Sequence, residues 1–167
     1  VSAKRIFDIL DSDVSIKDMP DAKGIEAFED KIEFKNVTFA YGKHNVIENF
    51  NLTIHKGETV ALVGQSGSGK STLANLITRF WDVKSGEILI DGINIKHIKL
   101  HDYRTLFGLV SQDSILFNDS IFNNIALGDK NPNQEKVEYA AQISNAEEFI
   151  QKMPEKYEES VGEGGNK

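Results

Sequence analysis

From Lys31 onward, apolar residues fall on every second position. Ile32 and Phe34 alternate with polar neighbours, the phase slips at Asn36, and Val37 and Phe39 take it up again. A period of two predicts a strand with one buried face, and the slip predicts one extra residue, a β-bulge in an edge strand. Phe50, Leu52 and Ile54 alternate in the same way, which predicts a second half-exposed antiparallel strand ending at Lys56-Gly57. Residues 59–63 (TVALV) are apolar on both faces, as in a strand covered on both sides within a parallel α/β sheet. After a glycine-rich turn, Leu73, Leu76, Ile77, Phe80 and Trp81 sit at helical spacing, predicting an amphipathic helix with Trp81 as a packing residue at its end. Residues 87–90 and 107–111 are further strand candidates. Asp91-Gly92 after the first of them signals a hairpin. Later helix starts are predicted at Asn131-Pro132 and at Ser144, the second with Glu147 three residues on as a capping box. At the front, Ile6, Phe7, Ile9 and Leu10 share one helical face, and residues 15–31 are mixed and polar. They fit a short helix and linker, or a frayed terminus, with the globular part starting near Lys31.

Composition narrows the class. The 167 residues make one domain's worth, and 40% hydrophobic with 27% charged residues excludes a disordered tail. The apolar runs are far shorter than the ~20 residues that cross a bilayer. No basic start, apolar core and small-residue cleavage site is present, so nothing suggests a secretory signal. Cysteine is absent, which removes disulfides, zinc–thiolate sites and a thiol nucleophile. The formal charge of −7 argues against non-specific nucleic-acid binding, which depends on Lys and Arg neutralising phosphates. A polyanion would have to be held by local, backbone-built potential.

Residues 64–72 read GQSGSGKST and provide it. Gly64, Gln65, Ser66, Gly67, Ser68 and Gly69 form a loop whose glycines let successive N–H groups turn inward as an anion nest at a helix start. Lys70 adds a full charge for the β- and γ-phosphates, the Ser71 hydroxyl suits Mg²⁺, and Thr72 continues the turn. The pattern predicts nucleotide binding and leaves the reaction open. Hydrolysis usually needs a second carboxylate on another strand. The one candidate, Asp91, is followed by Gly92 and reads as a turn residue. His44, His55, His97 and His101 show no ligand spacing and read as surface residues.

Several strings taken together resemble the nucleotide-binding domain of ABC transporters of the exporter type. They are KIEFKNVTFAYG, NFNLTIHKGETVALVGQSGSGKSTL, RFWDVKSGEILIDGINI and LFGLVSQDSILFNDSIFNNI, with VSAKRIFDILD similar to the connector from the last membrane helix. The resemblance implies an α/β fold, a P-loop NTPase core with an N-terminal antiparallel β-subdomain. Residues 1–30 would be connector and linker, residues 31–167 the ATP-binding domain, and a helical subdomain would begin near 123. ATP and Mg²⁺ are the implied ligands. Tyr41 would stack on adenine with Val46 nearby. Lys70 and Gln112 would be the catalytic pair, and Ser71 and Gln112 would reach Mg²⁺. Residues 114–125 would help receive coupling helices of the membrane domain, or simply start a helix capped at Asp119 or Ser120.

The implied partners are a second nucleotide-binding domain and those coupling helices. The implied location is the cytoplasmic face of a membrane reached through the parent transporter, with this segment itself soluble. Family members continue past a Gly-Glu-x-Gly segment, here Gly162-Glu163-Gly164-Gly165, into the signature loop, a carboxylate-bearing strand and a switch histidine. The chain therefore resembles a truncated N-terminal portion, expected to be inactive alone and prone to self-association. A P-loop kinase, a soluble ABC protein without transport, and a stand-alone nucleotide-sensing module are the rival classes.

Overall fold

The computed structural model describes residues 2–12, 14–111 and 115–162. They divide into two compact units, Val1–Gly108 and Leu109–Lys167.

The first unit is organised on an antiparallel sheet of order β2-β1-β3-β4, with β1 Lys31–Phe39, β2 Ile47–His55, β3 Ser85–Ile90 and β4 Ile93–Asn94. The expected bulge is present: register shifts fall between Phe34 and Val37 against β2 and between Lys35 and Thr38 against β3. Asn36 takes φ 49° there. However, β1 is an inner strand and not an edge. Gly86 makes room for the bulge, since a Cβ on it would lie 2.3 Å from the Asn36 carbonyl oxygen. Asp91 (φ 50°) and Gly92 (φ 80°) close the β3–β4 hairpin, with Ile90 paired to Ile93. Positive φ at both central residues is the type I′ geometry that matches strand twist. The Asp91 carboxylate also accepts the amides of Glu29, Asp30 and Lys31 at 2.8, 2.8 and 2.9 Å.

The helix that follows the glycine-rich turn is α2, Lys70–Ile77. It stops before Phe80 and Trp81, because Arg79 turns left-handed at φ 53°. The reason is its buried guanidinium, 1% exposed. It donates to the carbonyls of Ile95, Ile98 and Lys17 at 3.2, 3.4 and 3.1 Å and to Asp82 at 3.2 Å. A buried cation needs such partners, and a continuing helix would carry the side chain away from them. The buried Tyr103 of α3, Leu100–Thr105, donates its hydroxyl to the Ile77 carbonyl, and Arg104 donates to that of Arg79 at 2.9 Å. Carbonyls left free at the helix end thus find donors.

A helix, α1 (Ser2–Leu10), opens the chain. Residues 14–30 run as a strap along the first unit. Leu100 donates its amide to Asp18 at 2.7 Å, and Lys23 exchanges backbone bonds with His97 and Lys99 at 2.8 Å each. Ile25 and Phe28 pack on the core formed by Ile32, Phe34, Val37, Leu76, Ile88 and their neighbours.

Two predicted strands do not form. Residues 59–63 and 107–111 lie outside every ladder of the described residues, with Val63 95% and Val110 92% exposed. A strand apolar on both faces is held by neighbours on both edges, and no strand among the described residues pairs with either segment.

The second unit packs α4 (Ile121–Ala126), α5 (Gln134–Ile143) and α6 (Glu147–Ile150) around Val137, Ala141, Ile150 and Tyr157. Ser120 caps α4, accepting the Asn123 amide. Helix α5 begins two residues after the predicted Asn131-Pro132, capped by Asn133. Ser144 ends α5 and does not start α6. The capping box is missing because the Glu147 carboxylate accepts the Tyr157 hydroxyl and the Gln151 amide instead. Among the described residues no helix is long and apolar enough to cross a membrane.

Candidate functional site

The first turn of α2 is held against the start of β2. Gly69 precedes the helix at φ 88°, and a Cβ there would stand 2.5 Å from Ile47 Cδ1 and 3.5 Å from Val46 Cγ1. Only glycine meets both conditions, left-handed backbone and close approach. The first helical amide bond runs from Leu73 to the Gly69 carbonyl at 2.9 Å. The amides of Lys70, Ser71 and Thr72 precede it and have no helical partner. Such an end favours an anion through its free N–H groups and the helix dipole.

An open cleft of about 440 Å³ runs along this end, lined by Tyr41, Val46, Ser66, Gly67, Gly69, Lys70, Ser71 and Thr72. That volume lies within the usual range for small-molecule sites. Lys70 Nζ donates to the carbonyls of Gly64 and Gln65 at 2.9 and 2.7 Å and to the Ser68 hydroxyl at 3.3 Å. The loop is thereby folded around its own cation. On the other side, Phe50, Ala61, Leu62, Val63 and Leu73 line a second open cleft with Gly64, Ser68 and Lys70.

Of the sequence-selected residues, Tyr41, Val46, Ser66, Gly67, Gly69, Lys70, Ser71 and Thr72 meet on the first cleft, although up to 31 positions separate them, whereas Gly64 and Ser68 line the second and Gln65 lines neither. Tyr41 donates its hydroxyl to Thr72 Oγ1 at 3.3 Å. Its ring lies perpendicular to two others, Phe39 at 4.8 Å and Trp81 at 5.3 Å between centroids, each at 88°. Gln112 lies outside the described residues, as do Glu163, Gly164 and Gly165. The four histidines are exposed, and His97 pairs with Asp21 at 2.8 Å. Among the described residues no group of three His, Asp or Glu side chains gathers to hold a metal. The Ser71 hydroxyl, in the first turn of α2, is of a ligand type that suits Mg²⁺.

Sequence reasoning missed the support behind the site. Arg79 and Tyr103 hold the far end of α2, and Trp81 reaches Tyr41 across 40 positions. The local pattern carries no sign of these contacts, all of which are made between distant segments.

Comparison with known proteins shows what the chain as a whole is similar to. The profile of a family described as ABC transporter matches residues 47–165. An ATP-dependent lipid A-core flippase of Syntrophus aciditrophicus is 46% identical over 165 residues, 99% of this chain and 28% of its own length. A Staphylococcus aureus relative named as a multidrug export ATP-binding/permease protein is 46% identical over 164 residues, 97% of this chain and 28% of its own. The solved structure of a bacterial Atm1-family ABC exporter with ATP bound superposes with a TM-score of 0.90 at 36% identity, over 98% of this chain and 29% of that one. The chain spans less than a third of the length of these relatives.

Proposed function

The chain belongs to the ABC transporter family, and from that premise we propose that it is the ATP-binding part of an exporter coupling ATP binding and hydrolysis to transport. The observation that carries the reading is the cleft on which Tyr41, Val46, Ser66, Gly67, Gly69 and Lys70–Thr72 meet. Transport proteins similar over almost the whole segment favour it over a kinase or a stand-alone nucleotide sensor.

In this reading Tyr41 offers its ring to adenine and Val46 an apolar edge beside it. The loop from Gly64 through Gln65, Ser66, Gly67, Ser68 and Gly69 surrounds the phosphates, with the free amides of Lys70, Ser71 and Thr72 donating to their oxygens. Lys70 exchanges its carbonyl partners for the β- and γ-phosphates, a charge-assisted interaction. Ser71 would hold Mg²⁺, and on the family resemblance alone Gln112 would be a second ligand. When bound, Mg²⁺ neutralises charge that builds on the phosphate oxygens during transfer. The partners are a second nucleotide-binding domain and membrane-domain coupling helices, at the cytoplasmic face of the membrane. The further reading is that these 167 residues alone are inactive and prone to self-association, the second supported by residues 59–63, apolar and unpaired among the described strands.

The test is Lys70→Ala in the full protein, titrated directly with Mg·ATP. Hydrogen bonds to charged groups contribute about 1.5–3 kcal/mol, so affinity should fall at least tenfold. An unchanged affinity in a folded variant would overturn the assignment.

A further inference from the structure

Tyr41 lies just past the end of β1, in a run of bends at residues 41–44, so no strand pairing fixes its ring. Three side chains do so instead. Phe39, itself buried, stands perpendicular to it at 4.8 Å. Thr72, also buried, accepts its hydroxyl at 3.3 Å. Trp81 stands perpendicular at 5.3 Å and touches Phe39 as well, with centroids 6.1 Å apart. Trp81 is 44% exposed, more than a tryptophan serving only to fill a core.

Its position in the chain matters. Lys70–Thr72 form the first turn of α2, and Trp81 follows its last residue by four positions, beyond the left-handed turn at Arg79. Because Arg79 is anchored to three backbone carbonyls, the direction in which the chain leaves the helix is set by buried bonds. One rigid element thus carries the phosphate-facing residues at its start and, past its end, the ring that orients Tyr41. Edge-to-face aromatic pairs have preferred geometry and contribute beyond their buried area.

We propose that Trp81 is a positioning residue for the nucleotide base, acting only through Tyr41, whose ring it holds perpendicular to its own at the mouth of the cleft. The inference rests on the reading of Tyr41 as the base platform. It predicts that base and phosphate subsites are kept in register through α2, so that loss of Trp81 loosens the base while the phosphates remain held.

The experiment uses the full protein with Trp81→Leu, Trp81→Phe, Tyr41→Ala and the Leu/Ala double variant, each titrated by calorimetry with Mg·ATP and with Mg·tripolyphosphate. Trp81→Leu should weaken ATP about three- to tenfold and leave tripolyphosphate unchanged. Trp81→Phe, which keeps an aromatic edge, should bind ATP within about twofold of the original. The double variant should be no weaker than Tyr41→Ala alone, since the two residues act as one unit. Equal loss of ATP and tripolyphosphate in Trp81→Leu would show a merely structural role and overturn the inference. So would a double variant weakened by the product of the single effects. Unchanged ATP affinity in Trp81→Leu beside a weakened Tyr41→Ala would also overturn it while leaving the platform reading intact. Unchanged affinity in Tyr41→Ala would instead remove the platform reading, and the inference with it. If Trp81→Leu does not fold, Trp81→Met, which keeps flexible apolar bulk without a ring, is read by the same criteria.

Discussion

Replacing Asp91 by Asn separates the turn from the charge. Asn tolerates the left-handed backbone that Asp91 occupies at φ 50°, so the hairpin itself is retained. The amides of Asp30 and Lys31 both donate to Oδ1, and that of Glu29 donates to Oδ2. An amide side chain can still serve the first two as a neutral acceptor, but its NH₂ then faces the Glu29 N–H, donor against donor. A hydrogen bond to a charged group contributes about 1.5–3 kcal/mol and a neutral one about half of that. Solvent competes for the exposed Glu29 and Asp30 amides, though less for the part-buried Lys31 amide, which brings the expected cost down to about 1–2 kcal/mol.

In urea that is a midpoint lower by about 0.5–1 M for a slope of about 2 kcal/mol/M, followed by emission of Trp81, the one tryptophan. The penalty should also depend on pH. Desolvation raises the Asp91 carboxyl, but the three donated amides outweigh it and hold the group below its ordinary value. A depressed carboxyl contributes stability that is whole above the unfolded value of about 3.9 and is lost as pH falls through the lower folded one. The gap between the two proteins should therefore be full at pH 7 and shrink as pH falls below about 4. Equal midpoints at pH 7, or a gap unchanged down to pH 2, would refute the reasoning.

Gly69→Ala forces a Cβ into left-handed backbone and against Ile47; strain and overpacking together should cost about 2–4 kcal/mol in a denaturant titration. Arg79→Met leaves the Lys17, Ile95 and Ile98 carbonyls without their donor and should cost about 3 kcal/mol or more, a loss under about 1 kcal/mol showing that water replaces the guanidinium. Tyr41→Ala should weaken ATP and GTP alike by about tenfold, as sequence-tolerant stacking requires. Tyr41→Phe gives up only the 3.3 Å contact to Thr72 and should stay within about threefold of the original in the same titration.

The parts of the fold legible in the sequence are those fixed by local chemistry. The phase slip at Asn36 marked the bulge, Asp91-Gly92 marked the hairpin, and the glycine-lysine spacing marked the cleft before any neighbour was known. What the pattern misjudged depended on distant partners. Residues 59–63 and 107–111 carry strand composition but lack a pairing strand among the described residues. The end of α2 depends on where the Arg79 guanidinium finds carbonyls, and Ser144 loses its capping partner because Tyr157 takes Glu147. The bulge was placed in an edge strand because period alone does not say what lies alongside. The spacing places Trp81 at a helix end as a packing residue; it does pack, on Phe39 and Tyr41, but from four positions beyond the end of α2.

The strap over residues 14–30 has a mechanical consequence. Its attachments at Lys17, Asp18, Asp21, Lys23 and the Glu29–Lys31 amides follow one another along a single run of chain. Tension applied along that run stretches them all at once, as in shear, while tension lifting its front end meets them one at a time, as in peeling. The same bonds are therefore stiff toward a pull along the strap and weak toward a lift. Residue 31, where the strap enters β1, feels a sustained displacement in the first case and almost none until the last bond opens in the second.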